Sequence, residues 1–457
     1  MFLMMSLIFV LGYVFIAMEH PLKIDKTASA LIIGVLCWVV YMLGAEQILS
    51  LGYSSSWRQF LSLYPNLHGS EAVHTFIADY EITRHLGDIS EILFFLLGAM
   101  TIVEVIDQHQ GFKVITDKIE TTNKVKLLWL VGFLTFFLSA LLDNLTTTIV
   151  MVALLRKLIN HKQTRWIFAS MVVLTANAGG AWSPIGDVTT IMLWIGGQIT
   201  SLKIIEGVFL PSLACAIVPL VILSFFVKGK VVRPKNAASD KEFSTPTERI
   251  GILVLGGFGL LSVPVFKAVT HLPPYLGMLL SLGLIWIISD IVFRNKPDEI
   301  KYKLKVSAVL QRVDVPTVLF FLGILSAVTA LQSAGQLNLL AHYLDDKLHN
   351  VYLIDMAIGV LSSVIDNVPL VAGAMGMYPM TDASAVGYLA NFVQDGTFWE
   401  FLAYTSGTGG SILIIGSAAG IAAMGMEKIE FLWYLKHISW LALVGYLSGC
   451  LVYFLMH

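Results

Sequence analysis

Long apolar runs alternate with short polar stretches from one end of this chain to the other. A helix needs about 20 mainly apolar residues to cross a bilayer. On that measure the runs predict spans at about 2–18, 28–45, 86–106, 127–157, 165–195, 203–227, 249–267, 275–293, 315–341, 351–379, 399–425 and 432–456. The segment between 45 and 86 reads differently. Trp57, Arg58, Tyr64, Pro65, His68, His74, Arg84 and His85 make it too polar to span comfortably, and an interfacial helix plus a loop is expected there.

Two of the runs carry polar groups at their centres. The run through Ser139 holds Asp143, Asn144, Thr146, Thr147 and Thr148, and a later one holds Ser362, Ser363, Asp366 and Asn367. A charged side chain at bilayer depth costs roughly 2.5–3.5 kcal/mol on insertion scales, so an ionisable residue there is read first as functional.

Composition supports the membrane reading. The 457 residues are 56% hydrophobic and 13% charged, against about 25% charged in soluble domains. Helix-length apolar runs point to an all-α polytopic bundle rather than a barrel. Basic clusters with interleaved aromatics are absent, so nucleic acid is not an expected partner. Cys37, Cys215 and Cys450 lie far apart in apolar sequence and read as core residues, not as metal ligands or disulfides. The apolar start lacks a basic leader and a cleavage site, and reads as a first helix.

Charge then decides how the interrupted runs sit. Lys113, Lys118, Lys124 and Lys126 precede the first one, and Arg156, Lys157, Lys162 and Arg165 follow it. Positive residues favour short cytoplasmic loops, so both flanks want the same side. A single spanning helix cannot satisfy that, but a re-entrant hairpin of two half-depth helices, each of ~15 residues and ~22 Å, does so with Asp143-Asn144 at its tip. The second interrupted run has Lys347 alone on its flanks and is expected to enter from the opposite side.

The two runs belong to an internal repeat. Asp143 and Asp366 are 223 residues apart (366 − 143). Gly179, Gly180, Ile185 and Gly186 find identical partners in Gly409, Gly410, Ile415 and Gly416 at an offset of 230, and Leu93-Phe-Phe-Leu96 pairs with Leu319-Phe-Phe-Leu322 at 226. Two homologous halves of opposite orientation follow: residues 1–227 and 250–457, each with about five spans and one hairpin, joined by a cytoplasmic linker at 228–249. Inverted repeats with a site near the midplane are the secondary-transporter pattern.

Each half offers a hairpin tip and a glycine-rich break in the next helix. The break at 177–187 contains Asn177, Ser183, Pro184 and Asp187; its counterpart contains Thr405, Ser406, Thr408, Ser411 and Ser417. Unwound backbone and half-helix ends coordinate Na⁺ or H⁺ in such folds, and hard cations want oxygen ligands. Single glycines serve helix packing as readily, Asn144 and Asn367 can cap the returning half-helices, and at least one of Thr146, Thr147 and Thr148 is expected to bond back to its own helix. Three carboxylates, Asp143, Asp187 and Asp366, share the expected site without a Lys or Arg at comparable depth. Such carboxylates repel, so at least one has a raised pKa, and that group binds a proton or a Na⁺ but not both, the physical core of cation/proton exchange. Glu104, near the end of its span, is an outlying candidate.

The strings SALLDNLTTTIVM, NAGGAWSPIGDVTT, SSVIDNVPL and TSGTGGSILIIGSAAG resemble the NhaD-type sodium/proton antiporters, within the ion transporter superfamily of sodium-coupled dicarboxylate symporters and arsenite exporters. The resemblance covers about 86–455. It implies Na⁺(Li⁺)/H⁺ exchange in a bacterial inner membrane or a plastid envelope, by a homodimer in which a moving region carries the hairpins past a scaffold. The second tip departs from the first, with Val-Pro in place of Leu-Thr after the Asn, so the half-sites need not be equivalent.

The leading expectation is a Na⁺/H⁺ antiporter working by alternating access, with no enzymatic activity and no cofactor. Na⁺ is expected at Asp143, Asn144, Asp366 and Asn367, with Thr146, Asn177, Ser183, Asp187, Thr405, Ser406 and Thr408 as further ligands or supports. An anion carrier for arsenite or dicarboxylate is the alternative, against which the acidic tips count. An intramembrane aspartyl protease would need neither hairpins nor glycine-rich breaks.

Overall fold

The computed structural model describes residues 1–116, 118–234, 244–294, 296–297, 302, 304–348 and 350–457. Over these residues the chain is helical, with one isolated bridge between Asn123 and Lys230. The helices used below are α1 (Phe2–Ala17), α2 (Lys26–Leu43), α3 (Ser55–Leu63), α4 (Ile82–Gln108), α5 (Lys124–Leu142), α6 (Asn144–Leu158), α7 (Lys162–Ala181), α8 (Val188–Ile195), α9 (Ser201–Phe226), α10 (Pro246–Thr270), α11 (Pro274–Phe293), α12 (Val315–Ser333), α13 (Gln336–Leu348), α14 (Val351–Leu361), α15 (Asn367–Met377), α16 (Thr397–Gly409), α17 (Ala418–Glu427) and α18 (Ser439–Met456). Among the described residues, eight helices are long and apolar enough to cross a membrane. The other four predicted spans are α1, at 16 residues, and three runs that divide into shorter helices.

The chain forms two compact units. One comprises Met1–Leu93, Asp314–Ile354 and Val368–Val393. Its centre is the pair α2 and α12, whose backbones touch: a Cβ on Gly323 would lie 2.5 Å from the Ala30 carbonyl carbon. Small residues permit such approach between membrane helices. Tyr41 donates to the Ser333 carbonyl at 3.1 Å and Lys26 lies over the Phe320 ring. The predicted 315–341 span ends at Ser333 instead. Gly335 has φ +83, where a Cβ would press on the Tyr53 backbone, and the chain restarts as the separate helix α13. The 45–86 segment holds short helices including α3, as expected. It then enters a continuous helical rod from Gly69 through a π-turn at Thr75–Glu81 into α4. This early start is possible because the polar groups answer one another: buried Glu81 pairs with Arg84 and His85, each at 3.4 Å.

The other unit comprises Phe94–Val313, Asp355–Asn367 and Gln394–His457. Here α5 and α6 double back at Asp143. Thr122, before α5, and Lys124, its first residue, bond to Val231 and Gly229, while Asn160, after α6, bonds to Val232. Both ends of the pair therefore reach one short segment. The arms are unequal, 19 and 15 residues, so the first is longer than the half-depth helix expected. Residues 229–232 are thus bound and not a free linker. α10 begins at Pro246, where Thr245 and Glu248 form a capping box, and the predicted linker's centre, 235–243, lies outside the described residues. At the far side of α6, Arg156 and Arg165 each hold buried Glu427 at 2.7 Å, and Trp166 donates to the Glu427 carbonyl at 2.9 Å.

One packing arrangement occurs twice in this unit. Ser139 of α5 donates to the Ala176 carbonyl of α7 at 2.6 Å, and Ser362 donates to the Ser406 carbonyl of α16 at 2.8 Å. The partners are related by the sequence offsets of 223 and 230. A Cβ on Gly179 would collide with the Phe136 carbonyl, and one on Gly409 with the Gly359 carbonyl, again at the same offsets. Overpacking such a contact costs about 1–3 kcal/mol. Gly409→Ala is therefore expected to lower the thermal unfolding temperature of the purified protein, and Gly425→Ala, which meets nothing within 4 Å, to leave it unchanged.

Candidate functional site

Asp143 is the turn between α5 and α6. It occupies φ +101, ψ 158, a region that costs a non-glycine residue of order 1–3 kcal/mol and is kept where surrounding structure enforces it. Enforcement comes from its own carboxylate: Oδ1 accepts the Thr146 amide and Oδ2 the Thr146 hydroxyl, both at 2.8 Å. The side chain caps α6, and Thr146 bonds to it and not to its own helix. Thr147 and Thr148 are buried with hydroxyls lacking a partner. The expected back-bonding is therefore absent from all three threonines.

The next residue, Asn144, is buried and turns toward the break in the following helix. Its amide donates to Asn177 Oδ1 at 3.0 Å and to Asp187 Oδ2 at 2.8 Å. α7 ends at Ala181, the chain unwinds through Pro184, and Asp187 caps α8 by accepting the Thr189 amide and hydroxyl at 3.0 and 2.9 Å. Asn367, opening α15, donates to the same Asp187 carboxylate at 3.4–3.5 Å. One buried carboxylate thus collects an amide from each hairpin tip. Asn177 extends the cluster, its amide donating to Ser411 at 2.8 Å and to Ser417 at 2.9 Å in the second break. Capping Asp143 and half-buried Asp366 stand next in the chain to Asn144 and Asn367, the two tip residues that donate to Asp187.

Of the predicted residues, Asp143, Asn144, Thr146, Asn177, Asp187, Asp366 and Asn367 come together around this centre. The others do not join it. Ser183 donates to the Ala140 carbonyl at 2.5 Å and fastens the break to the hairpin. Thr405 and Ser406 bond to the Leu402 carbonyl, and Thr408 to Tyr404. These hydroxyls satisfy their own helix, the usual fate of Ser and Thr inside one. Glu104 accepts from Gln108 four residues on, outside the cluster. Ser411 and Ser417 stand out in sequence only as hydroxyls of the second break and not as ligands, although the offset of 230 makes Ser417 the counterpart of Asp187. The same helix-capping role passes to it, since its hydroxyl accepts the Gly420 amide at 3.2 Å.

The arrangement is an oxygen-rich centre of three carboxylates and neutral amides and hydroxyls, set where helices break inside an all-α membrane bundle. That combination defines a secondary transporter. The chain belongs to the citrate transporter family, whose model matches residues 13–392. It is 46% identical to Sodium/proton antiporter 1 of Arabidopsis thaliana over 99% of this chain and 72% of that protein. Identity to Sodium/proton antiporter 2 of the same plant is 44%, over 99% of both. The Na(+)/H(+) antiporter NhaD of Vibrio cholerae is 29% identical over 99% of this chain and 91% of its own length. These relatives bear out the resemblance carried by the tip and break motifs.

Removing the Asn177 side chain leaves Ser411 and Ser417 without their donor in a buried setting, worth about 1–3 kcal/mol. Asn177→Ala is expected to lower the unfolding temperature. Ser183→Ala, which leaves a backbone carbonyl short of one donor and the Ile185 amide short of a long acceptor contact at 3.3 Å, is expected to have the smaller effect in the same melting experiment.

Proposed function

We propose that this protein exchanges Na⁺, and Li⁺, for H⁺ across a membrane by alternating access. The observation that carries this reading is the double hold on Asp187 by Asn144 and Asn367. Both tips converge on one acid, so a cation bound among Asp143, Asp187 and Asp366 is felt by both hairpins at once. Three carboxylates in a low-dielectric place with only neutral donors repel one another unless a cation joins them. Na⁺ and H⁺ compete for those carboxylates, and competition at one site is what couples their movement. Asp143, Asp366 and Asp187 are the exchange groups in this scheme. Asn144, Asn367 and Asn177 orient them, and Thr146 holds Asp143.

The family's citrate label and the dicarboxylate branch make anion transport the second reading. An anion would need hydroxyls, amides and cationic groups free of competing acids. Arg156 and Arg165, on the helices that follow the first tip and lead into the first break, are both held by Glu427, and the acids of the cluster would repel an anionic cargo. The relatives named as sodium/proton antiporters favour the cation as well.

Further parts of the proposal follow from the repeat and the resemblance. The halves are inverted, the hairpins enter from opposite sides, and the hairpin-bearing region moves against a scaffold within a homodimer. We read the location as a bacterial inner membrane; the two plant relatives support a plastid envelope as the second possibility. In everted vesicles, Asp143→Asn or Asp366→Asn is expected to reduce Na⁺-dependent proton release to background while the protein still inserts. Exchange at wild-type rates in both variants overturns the assignment.

A further inference from the structure

Four carboxylates are buried in the unit that holds the cluster, among its described residues: Asp187, Asp355, Glu400 and Glu427. Three are answered. Asp187 receives the amides described above, Glu427 its two arginines, and Glu400 the Tyr453 hydroxyl and the His457 ring. Asp355 is not. It is fully buried, and neither of its carboxylate oxygens has a hydrogen-bond partner.

Its position is defined by the stripe it occupies. Asp355, Ile358, Gly359 and Ser362 fall at i, i+3, i+4 and i+7 and are all buried, while Leu353, Ala357, Val360 and Leu361 are exposed. This is the inward face of an amphipathic helix. Ser362 on that face bonds to the Ser406 carbonyl, and a Cβ on Gly359 would collide with Thr405 and the Tyr446 hydroxyl. Asp355 sits one turn farther from the tip, on the hairpin arm that ends in Asp366 and Asn367.

Packing does not require an acid there. The offset of 223 carries Asp355 to Gly132, Gly359 to Phe136 and Ser362 to Ser139. The first hairpin makes the same serine bond to its broken helix with glycine at the equivalent place, facing Leu220. Among the described residues, the Tyr446 phenol and the Cys450 thiol of α18 lie within electrostatic reach of Asp355. The phenol already donates to the Met356 carbonyl at 3.0 Å. Among the described residues no cationic group pairs with the acid.

We propose that Asp355 is a proton-binding site on the arm of the second hairpin, one that takes up and releases a proton in each transport cycle beyond those handled at the tips. A proton joins one carboxylate oxygen to give the neutral acid, which can be buried without the partner that an unpaired charge demands. On release the same proton passes to water when the hairpin exposes the arm. The part played in the cycle rests on the Na⁺/H⁺ reading, but the presence of the proton does not.

Two measurements on the full chain in lipid test this. Infrared spectroscopy is expected to show a carbonyl stretch of a buried protonated carboxyl group that disappears in Asp355→Asn and persists in Asp143→Asn and Asp366→Asn. In proteoliposomes, the number of protons moved per Na⁺ is expected to fall in Asp355→Asn. A band unchanged by Asp355→Asn overturns the site, and an unchanged ratio overturns its place in the cycle. Should Asp355→Asn fail to insert, Asp355→Glu keeps the acid and is expected to shift the band; an unshifted band overturns the site equally. Should the wild-type protein exchange no Na⁺ for H⁺, the infrared result still decides whether Asp355 holds a proton, so the two failures are told apart.

Discussion

Asp187 is a carboxylate taken wholly out of water in a bundle whose surroundings are mostly apolar, and the architecture answers that expense with donors from three places. The amide and hydroxyl of Thr189 come from its own helix start, one side-chain amide comes from the first hairpin tip, and a longer contact comes from the second. None of these donors is charged. Hydrogen bonds orient the acid, and in the exchange we propose its charge is met by a cation or a proton that comes and goes. A Lys or Arg in the same place would have made the cluster a permanent salt bridge.

Holding two tips on one acid demands that hairpin and broken helix stay in fixed register. That register is set by backbone-to-backbone contacts, Gly179 on Phe136 and Gly409 on Gly359, and by the serine bonds from Ser139 and Ser362. The halves then diverge in side-chain chemistry over a shared frame. Where the first break has Asp187 the second has Ser417, and where the first hairpin has Gly132 the second has Asp355. The same contacts between hairpin and broken helix thus carry unequal acids at equivalent places.

Much of this was legible in the sequence because membrane helices tolerate few polar residues, so each one stands out. Apolar runs, paired basic flanks and the offsets of 223 and 230 gave the hairpins, the breaks and seven of the clustered residues. Hydroxyls were harder. A Ser or Thr in a buried helix satisfies itself on the carbonyl a turn back as easily as it binds an ion, and only coordinates separate Thr405, Ser406 and Thr408 from Ser411 and Ser417. Glu81 and Glu427 were missed because their partners lie in other turns or other helices, and composition carries no trace of such pairing. The break at Gly335 was missed because a lone glycine in an apolar run reads as packing until its φ is known.

The central claim is that one cluster of acids holds either Na⁺ or H⁺. Its most direct test is to add NaCl to the purified wild-type protein in weakly buffered solution and record the pH. The account predicts that Na⁺ binding expels protons, that Li⁺ does the same, and that Asp143→Asn and Asp366→Asn release fewer. Saturable Na⁺ binding with no change in proton occupancy at any pH would contradict it.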